Sequence, residues 1–258
     1  MSEPRERTVR VAGVSCRVWE QGTGEPVAFL AGVGGLPRWT PFLERLARTR
    51  RVIAPSLPGF PGADAIGQLD DHLDWLLATH DLLAAAGAAG ADLIGVSVGA
   101  ALAADVACVW PASVRRLVLA SPLGLFDAGD PTADLFAQGP GDLGALLCGD
   151  PATWDAHVAL PESADPVEWA VVQVRAQEAA ARLLWPVGDT RLSRRLHRLD
   201  RPALLLFGGA DRVLPAGYRG LWARTLPDAA VQVIEGAGHQ VDLDAPEESA
   251  AAIDAFLE

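Results

Sequence analysis

The chain has 258 residues, 50% of them apolar and 21% charged, with a formal net charge of −12. That length suits one large α/β domain with an insertion, or two small domains, and the composition suits a globular protein with a sizeable core. The acidic balance argues against nucleic acid and anionic membrane surfaces as partners, no apolar run approaches the ~18 residues that cross a bilayer, and the charged opening Met1–Arg7 is followed by no secretory h-region.

In chain order, Thr8–Val11 and Val14–Trp19 read as an opening hairpin, and Val27–Leu30 as a short buried strand running into the glycine-rich Ala31-Gly32-Val33-Gly34-Gly35. Thr40–Ala47 reads as a helix with Pro41 in its first turn, where proline is tolerated. Arg51–Ala54 is the next strand, closed by Pro55-Ser56-Leu57-Pro58-Gly59. Asp70–Ala86 reads as an amphipathic helix with Leu73, Leu76, Leu77, Leu82 and Leu83 on one side. A strand ending at Val96 and an alanine-rich helix then flank Ser97, and Arg116–Ala120 is another strand. This alternation predicts an α/β fold, a mostly parallel sheet covered on both faces.

The alternation breaks from about 123 to 199, where Asp130-Pro131, Gly139-Pro140-Gly141 and Asp150-Pro151 punctuate helix-like pieces such as Trp169–Leu184. Sheet logic resumes at Pro202–Gly208, followed by a helix at 216–226, a strand at Val231–Ile234 and a closing helix at 245–257. The expectation is therefore a core built from 1–122 and 200–258, with 123–199 a helical insertion at the C-terminal edge of the sheet. Ligands bind at that edge in open α/β sheets, so the insertion would act as a lid.

Gly95-Val96-Ser97-Val98-Gly99 carries the chemistry. A serine on a sharp strand-to-helix turn projects its Oγ from the sheet end, and glycines two residues either side let strand and helix fold back on each other. The helix N-terminus also favours a developing negative charge. A serine hydroxyl needs a base to take its proton, and the base needs an acid. His239, in Gly236-Ala237-Gly238-His239 after the last strand, suits the base; His72 and His80 fall on a helix expected at the surface, and His157 and His197 belong to the insertion or its exit. Asp211 directly follows the strand at 203–207 and is the first choice of acid, with Asp127 the alternative. The backbone N–H of Val98, with that of Val33 or else Gly34, would serve as oxyanion donors, an ordinary glycine-rich turn being the alternative at 31–35.

With these residues in place, the chain resembles the α/β-hydrolase superfamily, its serine-nucleophile branch of bacterial esterases and meta-cleavage-product hydrolases. The resemblance runs from about Val27 to the C-terminus and rests on the loop at 31–35, the turn Pro55–Phe60, the elbow at 95–99, Gly208–Pro215 and Gly236–His239 followed by Asp244-Ala245-Pro246-Glu247-Glu248. The run from Trp185 through Arg191–Leu199 is similar to the lid-to-core connection of such bacterial members. The resemblance implies an eight-stranded sheet and carries nucleophile, acid and base onto Ser97, Asp211 and His239. It departs from the family where Ala31 stands for a histidine, Ser56 for an aspartate, Val96 for His or Phe and Ala100 for a second elbow glycine.

The expectation is a cytoplasmic serine hydrolase of a small or medium apolar ester or thioester, using no metal or organic cofactor. A C–C hydrolase, or a lyase or cyclase on a diketone or polyketide-like substrate, is the alternative, and a non-catalytic ligand receptor a third. Trp154, Trp185, Phe126 and Phe136 in the insertion are candidate substrate contacts, packing being the alternative for each. The expected partner is a small molecule, with no nucleic acid and no membrane, and association as a homodimer is left open. Cys16, Cys108 and Cys148 lack metal-ligand spacing and are expected to be reduced thiols.

Overall fold

The computed structural model describes residues 3–67, 69–139, 141–162, 164–185, 190–226 and 228–258; Met1, Ser2, Gln68, Pro140, Ser163, Pro227 and the stretch 186–189 lie outside the described residues. Eight strands form one sheet: β1 (Arg5–Val11), β2 (Val14–Gln21), β3 (Pro26–Leu30), β4 (Arg51–Pro55), β5 (Ala91–Val96), β6 (Val114–Ala120), β7 (Ala203–Gly208) and β8 (Ala230–Ile234), in the spatial order β1-β2-β4-β3-β5-β6-β7-β8. β1 and β2 form an antiparallel hairpin, β2 runs antiparallel to β4, and every later pairing is parallel. The hairpin strands and β6 are each longer than their apolar cores suggest, because the strands continue through polar residues such as Arg5 and Arg115 that a hydrophobicity reading leaves out.

Side chains alternate across the sheet with the period of two that a strand imposes. Ala28, Leu30, Leu93, Leu117, Leu119, Leu205 and Phe207 face one core. That core is covered by α2 (His72–Ala85), α3 (Val98–Val109) and α7 (Gly217–Thr225). Val27, Phe29, Ile94, Val96, Val118, Leu204 and Leu206 face the other, covered by α1 (Pro41–Leu46) and, after the short α8 (Val241–Asp244), by α9 (Pro246–Leu257). β5 is buried at all six positions, as expected of a central strand between two helical layers.

α2 begins at His72 rather than Asp70, because the Asp71 carboxylate caps the N–H groups of Leu73 and Asp74 while Asp74 answers back, a reciprocal capping box. Its buried face is Trp75, Leu76, Ala78, Thr79, Leu82 and Leu83. Leu73 and Leu77, expected on that face, are exposed instead. At 100° per residue they lie opposite the direction shared by Trp75, Thr79 and Leu82.

Between β6 and β7 the described residues form α4 (Leu143–Leu147), α5 (Pro151–Val158), α6 (Pro166–Leu184) and two short 3₁₀ turns, with no strand. α6 starts three residues before the expected Trp169 because Asp165 caps Val167 and Glu168, with Pro166 at the first helical position. Among the described residues no helix is long and apolar enough to cross a membrane.

The junction of β5 and α3 is packed to contact. A methyl added at Gly95 would lie 2.6 Å from the Ala100 Cα, and one at Gly99 would lie 2.5 Å from the Ala31 carbonyl oxygen. Both obstacles are backbone and cannot rotate away. Gly99→Ala is therefore expected to cost about 1–3 kcal/mol of stability, the usual penalty of overpacking. Gly141→Ala, where an added methyl meets nothing within 4 Å, should change stability by less than about 0.5 kcal/mol. Urea unfolding of the two variants beside wild type checks the pair.

Candidate active site

Ser97 sits where β5 turns into α3, with φ 53° and ψ −114°. A left-handed backbone at a non-glycine residue costs roughly 1–3 kcal/mol. It is held here by the Ser97 N–H donating to Ala120 O (2.9 Å) and by the Ser97 carbonyl accepting from Ala100 and Ala101 (3.1 and 3.2 Å). The side chain cannot cap α3, so the Val98 N–H at the helix start is left for another acceptor.

His239 follows β8 on the loop 235–240 and Asp211 follows β7, so both emerge at the sheet edge where Ser97 ends β5. The His239 Nε2 lies 2.8 Å from Ser97 Oγ, and its Nδ1 lies 2.9 and 3.2 Å from the two oxygens of Asp211. Ser97 and His239 are fully buried. Asp211 is fixed from its own loop, its Oδ1 accepting the N–H groups of Val213 (2.8 Å) and Leu214 (2.9 Å). Burial works to raise its pKa, but the adjacent His239 and the two backbone donors outweigh it and hold the carboxyl below the usual carboxylate range. An ionised acid facing Nδ1 leaves Nε2 as the lone-pair nitrogen toward the serine.

The glycine-rich loop after β3 closes as a turn, Gly35 N–H donating to Gly32 O (2.9 Å), which gives the Val33 and Gly34 N–H groups no carbonyl inside the turn. The elbow rests on this loop through Gly99 and Ala31. From the insert, the Trp154 ring lies directly on Gly34, where an added methyl would fall 2.5 Å from it. One turn later the buried His157 donates through Nε2 to Gly35 O (3.2 Å). The Gln240 carboxamide lies on Gly32, 2.5 to 3.1 Å from where a methyl there would sit. It packs against the loop whose side-chain support Ala31 lacks, and its Nε2 has no hydrogen-bond partner among the described residues.

Other candidates fall elsewhere. Asp127, the alternative acid, is exposed and turns back to accept the Gly129 N–H (2.9 Å). Phe126 is half-buried. Trp185 is 59% exposed and meets Phe136 edge to face, ring centres 6.4 Å apart. Phe136 lines a half-open cavity of about 310 Å³ with Leu135, Leu143, Val174 and Ala181, and none of Ser97, Asp211 and His239 is among its walls. His72 is not a free surface side chain: its Nε2 lies 2.6 Å from the fully buried Asp105 of α3, which Arg195 also grips (Nη2 at 3.0 Å). The apolar pattern hid this pair because Asp105 stands in an otherwise alanine-rich helix.

Three residues at the site escaped the sequence reading. Ser121, at the end of β6, is fully buried at φ 42°, its hydroxyl without a partner among the described residues. Gln240 precedes the short α8 and Asp244 ends it. Only Asp244 carried a signal, standing within a motif that the family resemblance already marked.

A profile described as "Alpha/beta hydrolase family" matches residues 27–252. Among curated relatives, a dihydrolipoyllysine-residue acetyltransferase component of an acetoin cleaving system from Pseudomonas putida is 32% identical over 98% of this chain and 70% of its own length. A 2-hydroxymuconate semialdehyde hydrolase from Pseudomonas putida is 28% identical over 97% of this chain and 93% of its own. An esterase structure from Rhodococcus sp. ECU1013 superposes with a TM-score of 0.78 at 22% identity, covering 99% of this chain and 98% of the other, a likeness of fold. The chain belongs to the alpha/beta hydrolase family.

His157 gives the site a pH signature. Burial lowers its pKa to about 4, against the smaller raising effect of its bond to Gly35. A histidine held neutral in the folded chain adds stability that is present above its unfolded value of about 6.5 and lost as pH falls toward about 4. Asp242, pushed up to about 7 mainly by burial, works in the opposite sense: its contribution is present below 3.8 and lost as pH rises through about 7. The wild-type curve mixes the two, so the difference between wild type and His157→Gln is the informative quantity. That difference should fall by up to about 3 kcal/mol between pH 7 and pH 4. Urea titrations at four pH values measure it, and a constant difference contradicts the assignment.

Proposed function

We propose that this member of the alpha/beta hydrolase family is a serine hydrolase of a small or medium apolar carboxylic ester or thioester, working through an acyl-enzyme. The observation that carries the reading is the unbroken run from Ser97 Oγ to His239 Nε2 (2.8 Å) and from His239 Nδ1 to Asp211 (2.9 Å). Ser97 Oγ attacks the carbonyl as Nε2 takes its proton, and the ionised Asp211 stabilises the imidazolium that forms. The Val98 and Val33 N–H groups, with Gly34 as second choice, receive the charge on the carbonyl oxygen. His239 returns the proton to the leaving alcohol or thiol, then takes one from the water that attacks the acyl carbonyl and regenerates Ser97. Because Ser97 and His239 are fully buried, the insert serves as a lid, and substrate enters when the segment carrying Trp154 shifts from Gly34. Trp154 is then the aromatic side chain best placed to touch the acyl group.

A second reading keeps the same three residues and changes the bond to a C–C bond of a dienoate or diketone. It is favoured by the 2-hydroxymuconate semialdehyde hydrolase relative, which this chain matches over nearly its full length. The acetyltransferase relative bears instead on acyl transfer in general.

A panel of p-nitrophenyl esters of graded acyl length, run beside a ring-cleavage dienoate, separates the readings. Ester turnover is expected, with Ser97→Ala and His239→Ala each lowering kcat by at least about 10³-fold and Asp211→Asn by about 10⁴-fold. Turnover of the dienoate alone would transfer the assignment to C–C hydrolysis. Stoichiometric reaction of Ser97 with a fluorophosphonate is expected; binding of ligands by a protein that never labels would make it a receptor.

A further inference from the structure

The loop that carries His239 is strapped to the insert by one carboxylate. Asp244 Oδ2 accepts the N–H of Gly149 and the N–H of Gly238, each at 2.7 Å. Beside it the Gln240 N–H donates to Leu147 O (2.9 Å). The residues immediately before and after His239 are thus both tied to 147–149, the link between α4 and α5. The surfaces leave no slack: a methyl at Gly238 would lie 2.8 Å from the Cys148 carbonyl carbon and the Gly149 nitrogen, and one at Gly149 would lie 2.9 Å from Gly236 O. α5 begins at Pro151 and brings Trp154 onto Gly34. Base loop, link, α5 and glycine-rich loop therefore form one continuous set of contacts.

We propose that Asp244 is the positioning residue for His239, coupling the placement of the imidazole to the seating of the insert. The inference rests on His239 being the base, as proposed above. An ionised acceptor shared by two N–H groups makes stronger bonds than a neutral one. Without it, the backbone at 238–240 is free to drift, and a displacement of about 1 Å at a catalytic group costs about 10²-fold in rate. Asp244 touches no reacting atom, so its removal acts on turnover through the placement of His239.

Cys148 supplies a built-in reporter. Its thiol is buried against Asp244, and burial together with the neighbouring carboxylates pushes its pKa far above the ordinary thiol value. While the strap holds, the thiol is inert to alkylation. The experiment compares wild type with Asp244→Asn and Asp244→Ala. It measures kcat and KM on a p-nitrophenyl ester per fluorophosphonate-titrated serine, and the rate of Cys148 alkylation by iodoacetamide, located by mass spectrometry. Expected are a fall in kcat of about ten- to hundredfold with KM within about twofold, and alkylation of Cys148 faster by about tenfold or more. Normalising to titrated sites removes any loss due to unfolded protein, and if Asp244→Ala does not fold, the near-isosteric Asp244→Asn decides. An unchanged kcat per titrated serine, or a Cys148 as protected as in wild type, overturns the proposal. A wild type inert to both ester and fluorophosphonate would instead overturn the proposed reaction, and the positioning role with it.

Discussion

The left-handed backbone of Ser97 is the constraint from which the rest of the site follows. Nothing in the residue itself prefers φ 53°; the surroundings impose it. β5 is buried on both faces, and α3 must start at once and lie back over the strand, leaving no room for a side chain at Gly95 or Gly99. The same contact that excludes a methyl at Gly99 sets the elbow against Ala31, so Ser97 and the glycine-rich loop are positioned by one packing event. Ser121, at the end of the neighbouring β6, is held at positive φ as well (42°), and the strain at both is offset by two well-packed cores.

Around that fixed point the other two side chains are held in different ways. Asp211 is locked by its own loop, through the N–H groups of Val213 and Leu214, and its charge is maintained despite burial. His239 is held instead through the residues on either side of it. Its ring is oriented by Asp211 and Ser97, and its backbone by Asp244 and by residues 147–149 of the insert. The Asp211 carboxylate is thus fixed within its own loop, whereas the loop of His239 is also tied to residues 147–149.

The insert is also anchored at its far end. Arg195, leaving the insert, grips the buried Asp105 of α3, which His72 at the start of α2 also contacts, and the Thr190 hydroxyl donates to Gly124 O (3.0 Å). Asp105 is on the helix that begins at Ser97. A fully buried carboxylate demands paired, hydrogen-bonded partners, so the arginine-rich exit from the insert has a defined seat on the core.

Much of this was legible in the amino-acid order. Strand and helix periods marked the cores of all eight strands, because burial on one or both faces writes itself into apolar spacing. Gly95-Val96-Ser97-Val98-Gly99 and Gly236-Ala237-Gly238-His239 announced tight backbone contacts, because close approach at Gly95, Gly99 and Gly238 leaves glycine no substitute. The face of α2 was misread at Leu73 and Leu77, since five leucines are compatible with more than one stripe and only the position of the sheet selects among them.

What the sequence determined by itself was therefore the eight strands, the helices that alternate with them, and a serine, a histidine and candidate acids at strand ends: local sterics and periodicity suffice for these. The tertiary structure alone decided which residues meet across the chain. It set Asp211 rather than Asp127 against His239, laid Trp154 on Gly34 and the Gln240 amide on Gly32, and joined Asp244 to Gly149. Those partners lie from 28 to 208 positions apart, and contact over such separations depends on how the two helical layers close on the sheet, for which no short-range pattern carries a signal.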